Sequence, residues 1–157
     1  MMPPSKQILL VCSGNTCRSP LAAALLAVRL SATPELANVV VESAGTSARD
    51  DQPASEGSAA AALERGVDLS RHRSRLLSAE LVQRADLILA MSAAHLRHVI
   101  ALGGGGKAYL LTAYAGEPDS DVTDPFGGAI ATYRTTALQL DRLLASVVVR
   151  LRHAVKS

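Results

Sequence analysis

The sequence predicts an α/β fold, with a parallel sheet in the middle and helices on both faces. Short apolar runs of strand length alternate along the chain with longer segments whose apolar residues have helical spacing. Two of the runs, at 7–12 and 86–91, are apolar almost throughout, which is typical of parallel strands buried on both faces. The chain has 157 residues, 48% of them apolar, so residues 1–157 are expected to form one domain with a substantial core.

The individual elements follow from local signals. The strand at 7–12 runs into a tight loop and then a helix that begins near Pro20, since proline is tolerated in a first helical turn. Serines that fit the N-cap position predict three further helices, which begin after Ser55, Ser78 and Ser92. The remaining predicted elements are strands at 39–43, 86–91 and 107–111 and a last helix at 130–153. The predicted sheet therefore has four strands.

The composition argues against several classes of protein. The net charge is +2, from 16 basic and 14 acidic residues, and this balance indicates neither a nucleic acid nor a membrane partner. No signal peptide is expected at the start, and the longest apolar segment, 21–28, is far shorter than the roughly 20 residues of a membrane span. The two cysteines, Cys12 and Cys17, both lie in the loop after the first strand and cannot staple distant segments, which indicates a reducing, cytoplasmic setting. One basic run is expected to be a solvated surface: Arg71, Arg73 and Arg75.

The loop between the first strand and the first helix has the features of an anion site with a nucleophile at its base. A helix start offers unpaired N–H groups and the positive end of the helix dipole. Cys12 ends the strand, where these groups and Arg18 favour its thiolate, and the guanidinium fork of Arg18 matches phosphate oxygens. Gly14 is expected to permit the turn, Asn15 to hold the loop's shape and Ser19 to hydrogen-bond the thiolate. The alternative is a structural cysteine beside an anion-binding loop.

A thiolate nucleophile cannot also protonate a leaving group, so a second residue has to act as general acid. The Pro-, Gly- and Asp-rich loop at 115–128 offers Asp124, whose backbone Pro125 restricts to an extended conformation. Phe126 follows as a candidate pocket wall. Sites in parallel sheets lie at the carboxyl ends of the strands, so this loop is expected to meet Cys12 there. Taken alone, an Asp-Pro pair is a common turn.

The segments at 11–20 and 124–128 together resemble the low-molecular-weight protein tyrosine phosphatase family. Three intermediate segments match as well, at 42–46, 66–73 and 85–91. The resemblance covers almost the whole chain in order, and it implies a four-stranded parallel sheet of the phosphotyrosine protein phosphatase I type, without metal or cofactor. It also implies double displacement through a phosphocysteine. By this match Cys12 is the nucleophile, Arg18 binds the phosphoryl oxygens, and Asp124 is the acid and later the base for water.

Two departures from the family's pattern concern the substrate. Members that take phosphotyrosine usually have an apolar β-branched residue at the position of Thr16 and two adjacent aromatics after Asp-Pro, whereas here only Phe126 follows. This combination resembles the bacterial branch that acts as protein-arginine phosphatase. A threonine hydroxyl accepts the N–H groups of a phosphoguanidinium, and Asp119, Asp121 and Asp124 lie on one loop, where they would attract a cationic side chain. The open alternatives are that Thr16 is a tolerated small residue and that Asp119 and Asp121 only solvate a turn.

The sequence therefore predicts a cytoplasmic phosphatase that acts on phosphorylated proteins, with a preference for phosphoarginine. The residues expected to contact substrate are Ser13, Gly14, Asn15, Thr16, Cys17, Ser19 and Phe126. The alternatives are a tyrosine phosphatase, an arsenate reductase or a non-catalytic phosphate-binding module. An arsenate reductase would need cysteines beyond Cys17, and mere binding would not need Asp124.

Two further residues have open roles. Cys17 is either a resolving thiol, which captures oxidised Cys12 as a disulfide, or a small buried hydrophobic residue. His72 is a candidate structural hydrogen-bond partner. The other histidines lie on predicted helices without the spacing of metal ligands: His95, His98 and His153.

Overall fold

A four-stranded parallel sheet forms the middle of the molecule in the computed structural model, which describes residues 6–156. The strands are β1 (Gln7–Cys12), β2 (Val40–Gly45), β3 (Leu87–Ala90) and β4 (Ala108–Leu110). All three pairings are parallel, and the strand order is β2-β1-β3-β4. The carboxyl end of β1, which carries Cys12, therefore lies between those of β2 and β3.

Helices cover both faces of the sheet, so the predicted fold class is confirmed. The helices are α1 (Arg18–Ser31), α2 (Glu56–Glu64), α3 (Ala79–Arg84), α4 (Ala93–Val99), α5 (Leu111–Tyr114) and α6 (Ile130–Lys156). One buried cluster joins β1 to α1, α2, α5 and α6, and a second joins β1 to α3 and α4. Successive residues of β1 alternate between the clusters, because neighbouring side chains of a strand point to opposite faces. In the described part of the chain, none of the helices combines the length and the hydropathy of a membrane span.

The three serine N-caps are present where the sequence predicts them. The hydroxyls of Ser55, Ser78 and Ser92 each accept a hydrogen bond from the backbone N–H three residues later, at 3.2 or 3.3 Å. Each bond satisfies one of the N–H groups that have no partner inside the helix. Local chemistry alone therefore places the starts of α2, α3 and α4.

Several element ends differ from the prediction, and β3, for example, is Leu87–Ala90 rather than 86–91. β2 continues to Gly45, because Gly45 pairs with Cys12 and also accepts a hydrogen bond from Leu77 N at 2.8 Å. Leu111 begins α5 rather than ending β4, and it is fully buried there. A short apolar run does not distinguish a strand from a buried helical turn. The last helix extends beyond His153 to Lys156.

The expectation of a fully solvated basic run is wrong for Arg75. Its Nη2 lies 2.8 Å from Glu42 Oε2, and its Nε donates to Ser43 O at 3.0 Å. Burial by itself would raise the pKa of Glu42, but hydrogen bonds from Arg84 and Arg75 hold that pKa below its ordinary value. Arg75 therefore belongs to the scaffold that supports β2, while Arg71 and Arg73 are exposed.

Candidate active site

The loop between β1 and α1 turns at Asn15. Asn15 has a φ of 56°, in the left-handed region that asparagine tolerates better than most residues. Positive φ in this loop falls on Asn15 rather than on Gly14. The tight turn brings Ser19, at the start of α1, back to the end of β1, where its Oγ lies 2.9 Å from Cys12 Sγ.

Asn15 is held by groups from three other parts of the chain, which are the start of α1, β2 and the segment between α2 and α3. Its Nδ2 donates to Ser19 Oγ at 2.8 Å and to Ser43 Oγ at 2.9 Å, and its Oδ1 accepts from Arg75 N at 2.9 Å. Its carbonyl oxygen lies 2.6 Å from His72 Nε2. Because Ser19 Oγ accepts from Asn15, its own hydrogen is directed to Cys12 Sγ, where it stabilises a thiolate.

His72 fills the structural role that the sequence suggests for it. Its pKa is lowered because the ring is partly buried, and the cations Arg75 and Arg73 add to this effect. The ring is therefore neutral near pH 7, with Nε2–H as the donor to the Asn15 carbonyl. The contact ties the segment after α2 to the turn of the cysteine loop.

Gly45 packs directly under the same loop. A Cβ at this position would overlap the carbonyl oxygen of Ser13 and would lie 2.8 Å from Asn15 N. Backbone bonds join the same segments, since Thr46 N donates to Cys12 O and Ser47 N donates to Ser13 O, both at 2.9 Å. Only glycine permits this close approach.

The buried guanidinium of Arg18 connects the cysteine loop to the loop that precedes α6. Its Nη1 donates to Val122 O at 3.1 Å, and its Nη2 lies 3.5 Å from Asp124 Oδ2. Val122 is anchored in turn, because its N–H donates to Met91 O at 2.7 Å. Asp124 remains about half exposed, and its Oδ1 accepts from Phe126 N at 3.1 Å. The carboxylate is thus held beside Arg18 at the edge of a pocket.

That pocket has a volume of about 260 Å³. It is lined by Cys12, Ser13, Gly14, Thr16, Cys17, Arg18, Ser47, Asp124 and Phe126. The structure therefore brings together the candidate nucleophile, the candidate phosphate-binding cation and the candidate acid. Phe126 is 77% exposed, so its ring stands at the mouth rather than deep inside.

Four predicted residues lie outside the pocket lining. Asn15 and Ser19 are fully buried behind the loop, where they position Cys12. Asp119 and Asp121 do not line the pocket either, and Asp121 accepts a hydrogen bond from Ala93 N at 2.9 Å, at the start of α4. This contact anchors the loop that carries Asp124.

Cys17 lies at the start of α1 against α2 and α6. Its Sγ donates to Ser55 Oγ at 3.2 Å and lies 3.9 Å from the Tyr133 hydroxyl. Burial and the neighbouring Cys17 raise the pKa of Tyr133, so its hydroxyl stays protonated. Both cysteines are free thiols.

Two residues at the site belong to no motif that is visible in the sequence. Ser47 lines the pocket from the loop after β2. His95 is buried on α4, with its Nε2 2.7 Å from Ser13 Oγ and its Nδ1 2.8 Å from Ser92 Oγ. The available signal for His95 was its position one turn after a predicted N-cap, in the helix that follows β3. In the described part of the chain, no cluster of three or more His, Cys, Asp or Glu side chains could hold a metal ion.

The fold and the pocket define a class of enzyme. A thiol, a guanidinium and a carboxylate converge at the carboxyl ends of a parallel sheet, as in hydrolases that use cysteine to cleave phosphate groups. The family model described as low molecular weight phosphotyrosine protein phosphatase matches residues 7–157, and the chain belongs to that family. The predicted family and enzyme class, a cysteine-dependent protein phosphatase, are thereby confirmed.

Similar proteins include phosphatases named for two different amino acids. The chain is 39% identical over 148 residues to a protein-arginine-phosphatase of Bacillus subtilis, across 92% of this chain and 96% of that protein. It is 35% identical over 150 residues to a probable low molecular weight protein-tyrosine-phosphatase, EpsP, of Ralstonia solanacearum, across 94% and 97%. A solved mutant of the YwlE arginine phosphatase with a phosphorylated active site serine matches with a TM-score of 0.84 and 38% identity, over 93% of this chain and 95% of that chain.

Proposed function

We propose that this phosphatase removes phosphate from phosphoarginine residues of proteins. The observation that carries the proposal is the polar wall of the pocket. Hydroxyl-bearing residues line it at three positions, Ser13, Thr16 and Ser47, while its one aromatic ring, that of Phe126, is at the mouth. A phosphoguanidinium brings N–H donors into the pocket, and the hydroxyl oxygens of Thr16 and Ser47 can accept them. A phenyl ring would find little aromatic surface inside the same walls.

Thr16 is the residue we propose as the selector. Its Oγ1 lies 3.9 Å from Cys17 Sγ, too far for a strong hydrogen bond, so the hydroxyl retains capacity for a ligand. The similarity to the Bacillus subtilis protein-arginine-phosphatase supports the same substrate.

The proposed reaction has two steps on the phosphorus atom. The Cys12 thiolate attacks phosphorus, the P–N bond breaks, and Asp124 gives its proton to the departing guanidine nitrogen. Asp124 then takes a proton from a water molecule that attacks the phosphocysteine. The P–S bond breaks, inorganic phosphate leaves, and Cys12 returns to the thiolate. The phosphorylated active site serine of the solved YwlE mutant supports a covalent phosphoryl intermediate on the side chain of Cys12.

Arg18 and Ser19 support both steps in this proposal. Arg18 is already oriented by the Val122 carbonyl, so it can hold the phosphoryl oxygens with little reorganisation. The Ser19 hydroxyl, 2.9 Å from Cys12 Sγ, stabilises the thiolate as attacking group and as leaving group. We infer that residues 1–157 act as one phosphatase domain, and that the two free thiols are kept reduced in the cytoplasm.

The test compares two peptides of the same sequence, which carry phosphoarginine or phosphotyrosine at one position. We expect kcat/KM to be at least about tenfold higher for the phosphoarginine peptide, the effect of one or two well-placed hydrogen bonds. Cys12→Ser should remove turnover of both peptides without changing the circular dichroism spectrum. A clear preference for phosphotyrosine would overturn the arginine assignment, and turnover by the Cys12→Ser variant would overturn the mechanism.

A tyrosine phosphatase is the second candidate, since EpsP of Ralstonia solanacearum is a probable tyrosine phosphatase at comparable identity. The exposed ring of Phe126 offers a stacking surface for a tyrosine at the pocket mouth. The two-peptide comparison separates the candidates directly.

A further inference from the structure

His95 forms a hydrogen-bonded bridge between α4 and the cysteine loop. Its ring is buried, and the two ring nitrogens face two serine hydroxyls, that of Ser92 behind it and that of Ser13 in the pocket wall. Ser92 Oγ also accepts the N-cap hydrogen bond from His95 N at 3.3 Å. The proposed mechanism gives no role to this bridge.

The hydrogen bonds around Ser92 favour one tautomer of His95. Ser92 Oγ already accepts from a backbone N–H, so its own hydrogen is best used in a bond to His95 Nδ1. Nδ1 is then an acceptor, and the ring hydrogen lies on Nε2, 2.7 Å from Ser13 Oγ. Ser13 accepts this hydrogen, and its own hydroxyl hydrogen is left for a partner in the pocket.

We propose that His95 is a positioning residue, which accepts from Ser92 and donates to Ser13, so that the Ser13 hydroxyl donates to an oxygen of the bound phosphoryl group. The inference rests on the proposed function only in that the Cys12 pocket binds the phosphoryl group. It holds for a phosphoarginine or a phosphotyrosine substrate, because it concerns the part that both share.

The surroundings of His95 keep the bridge in its neutral form. Burial lowers the pKa of His95 to about 4, and the nearby cation Arg18 adds to this effect. Asp121 and Asp124 act in the opposite direction, and His98 on the same helix favours the neutral ring. A protonated ring would carry hydrogen on Nδ1 as well, and Ser92 would lose its acceptor.

Two amide variants of His95 test the two ends of the bridge separately. In His95→Gln the amide reaches the position of Nε2 and can still donate to Ser13, whereas in His95→Asn it reaches only the position of Nδ1. We expect Ser13→Ala and His95→Asn to raise the inhibition constant of inorganic phosphate by about tenfold and to lower kcat/KM for p-nitrophenyl phosphate to a similar extent, the worth of one hydrogen bond to a charged group. His95→Gln should recover most of the loss.

A double variant shows whether Ser13 and His95 act through the same hydrogen bond. The double variant Ser13→Ala, His95→Asn should be no worse than the poorer single variant, because both changes remove the same hydrogen bond. His98→Gln, on the exposed side of α4, is the matched control and should leave both constants unchanged.

The inference is overturned if Ser13→Ala binds phosphate as the wild type does, or if the two single losses add in the double variant. It is also overturned if His95→Gln is as impaired as His95→Asn. Even where a His95 variant does not fold, wild-type phosphate binding by Ser13→Ala overturns the inference. Turnover by Cys12→Ser would contradict the proposed function instead, so the two failures are distinguishable.

Discussion

At the scale of single residues, the proposed mechanism assigns the reaction and the choice of substrate to different side chains of one loop. Under that proposal, Cys12 and Arg18 supply the chemistry that any phosphoryl substrate requires. Thr16 faces the same pocket but is not held by a strong hydrogen bond, so its hydroxyl can respond to the group that the phosphate is attached to. Under the proposed function, substrate choice can therefore change at Thr16 without changing the reaction.

Replacement of Thr16 by isoleucine should move the preference towards tyrosine. Isoleucine removes the acceptor for guanidinium N–H groups and adds apolar surface for a phenyl ring. We expect kcat/KM for the phosphoarginine peptide to fall by roughly tenfold to a hundredfold, corresponding to about 1–3 kcal/mol for an unpaired polar group. Thr135→Ile, on the exposed face of α6, is the matched control. An unchanged ratio between the two peptides would show that Thr16 does not select the substrate.

At the scale of elements, the end of β2 supports the end of β1. Gly45 pairs with Cys12, and its Cα lies so close to the next loop that a side chain would overlap Ser13 O. Asn15, at the turn of that loop, is held by Ser43 of β2 and by Arg75. The shape of the cysteine loop is thus a property of two adjacent strands rather than of the loop alone.

Gly45→Ala should reduce activity more than its added methyl group would suggest. The new Cβ would have to displace the Ser13 carbonyl and Asn15 N, both of which belong to backbone that cannot move without opening the loop. We expect kcat/KM for p-nitrophenyl phosphate to fall at least about tenfold, since a displacement of about 1 Å at a catalytic group has effects of this order or larger.

Gly105→Ala is the control for that change. A Cβ added at Gly105 would meet nothing within 4 Å, and this residue lies at the opposite side of the sheet from β2. Wild-type kinetics for Gly45→Ala would contradict the tight packing under the loop.

At the scale of the whole molecule, the packing of helices on both faces of the sheet buries ionisable side chains and thereby disfavours their charged forms. His95 is the clearest case, because burial among α4 and the cysteine loop lowers its pKa from 6.5 to about 4. Between these values the unfolded chain binds more protons than the folded one. The contribution of His95 to stability is therefore complete above about pH 6.5 and is lost as the pH falls towards 4.

The free energy of unfolding should reflect this difference. We expect urea unfolding of the wild type to show lower stability at pH 5 than at pH 7. In His95→Gln, the number of protons taken up on unfolding in this pH range should be smaller by up to about one. The comparison with His98→Gln separates this effect from the titration of carboxylates, which both variants share. Equal pH dependence in the wild type and the His95→Gln variant would contradict the assignment.

The sequence by itself determined the features that depend on neighbours along the chain. Serine caps, apolar runs and the loop between β1 and α1 are local, so the order of elements, the fold class and the family followed from them. The same locality explains the errors: the end of β4, for example, depends on where Leu111 is buried and not on its neighbours in sequence.

Only the tertiary structure decided which distant residues support the pocket. Asn15 is satisfied by Ser43 of β2 and by His72 and Arg75 of the segment between α2 and α3, and His95 meets Ser13 across 82 positions. Such contacts depend on strand order and on the packing of helices, because residues far apart in sequence become neighbours only when the sheet has formed. The chemistry of the cysteine loop was visible in its residues, whereas the positions of the groups that orient it were not.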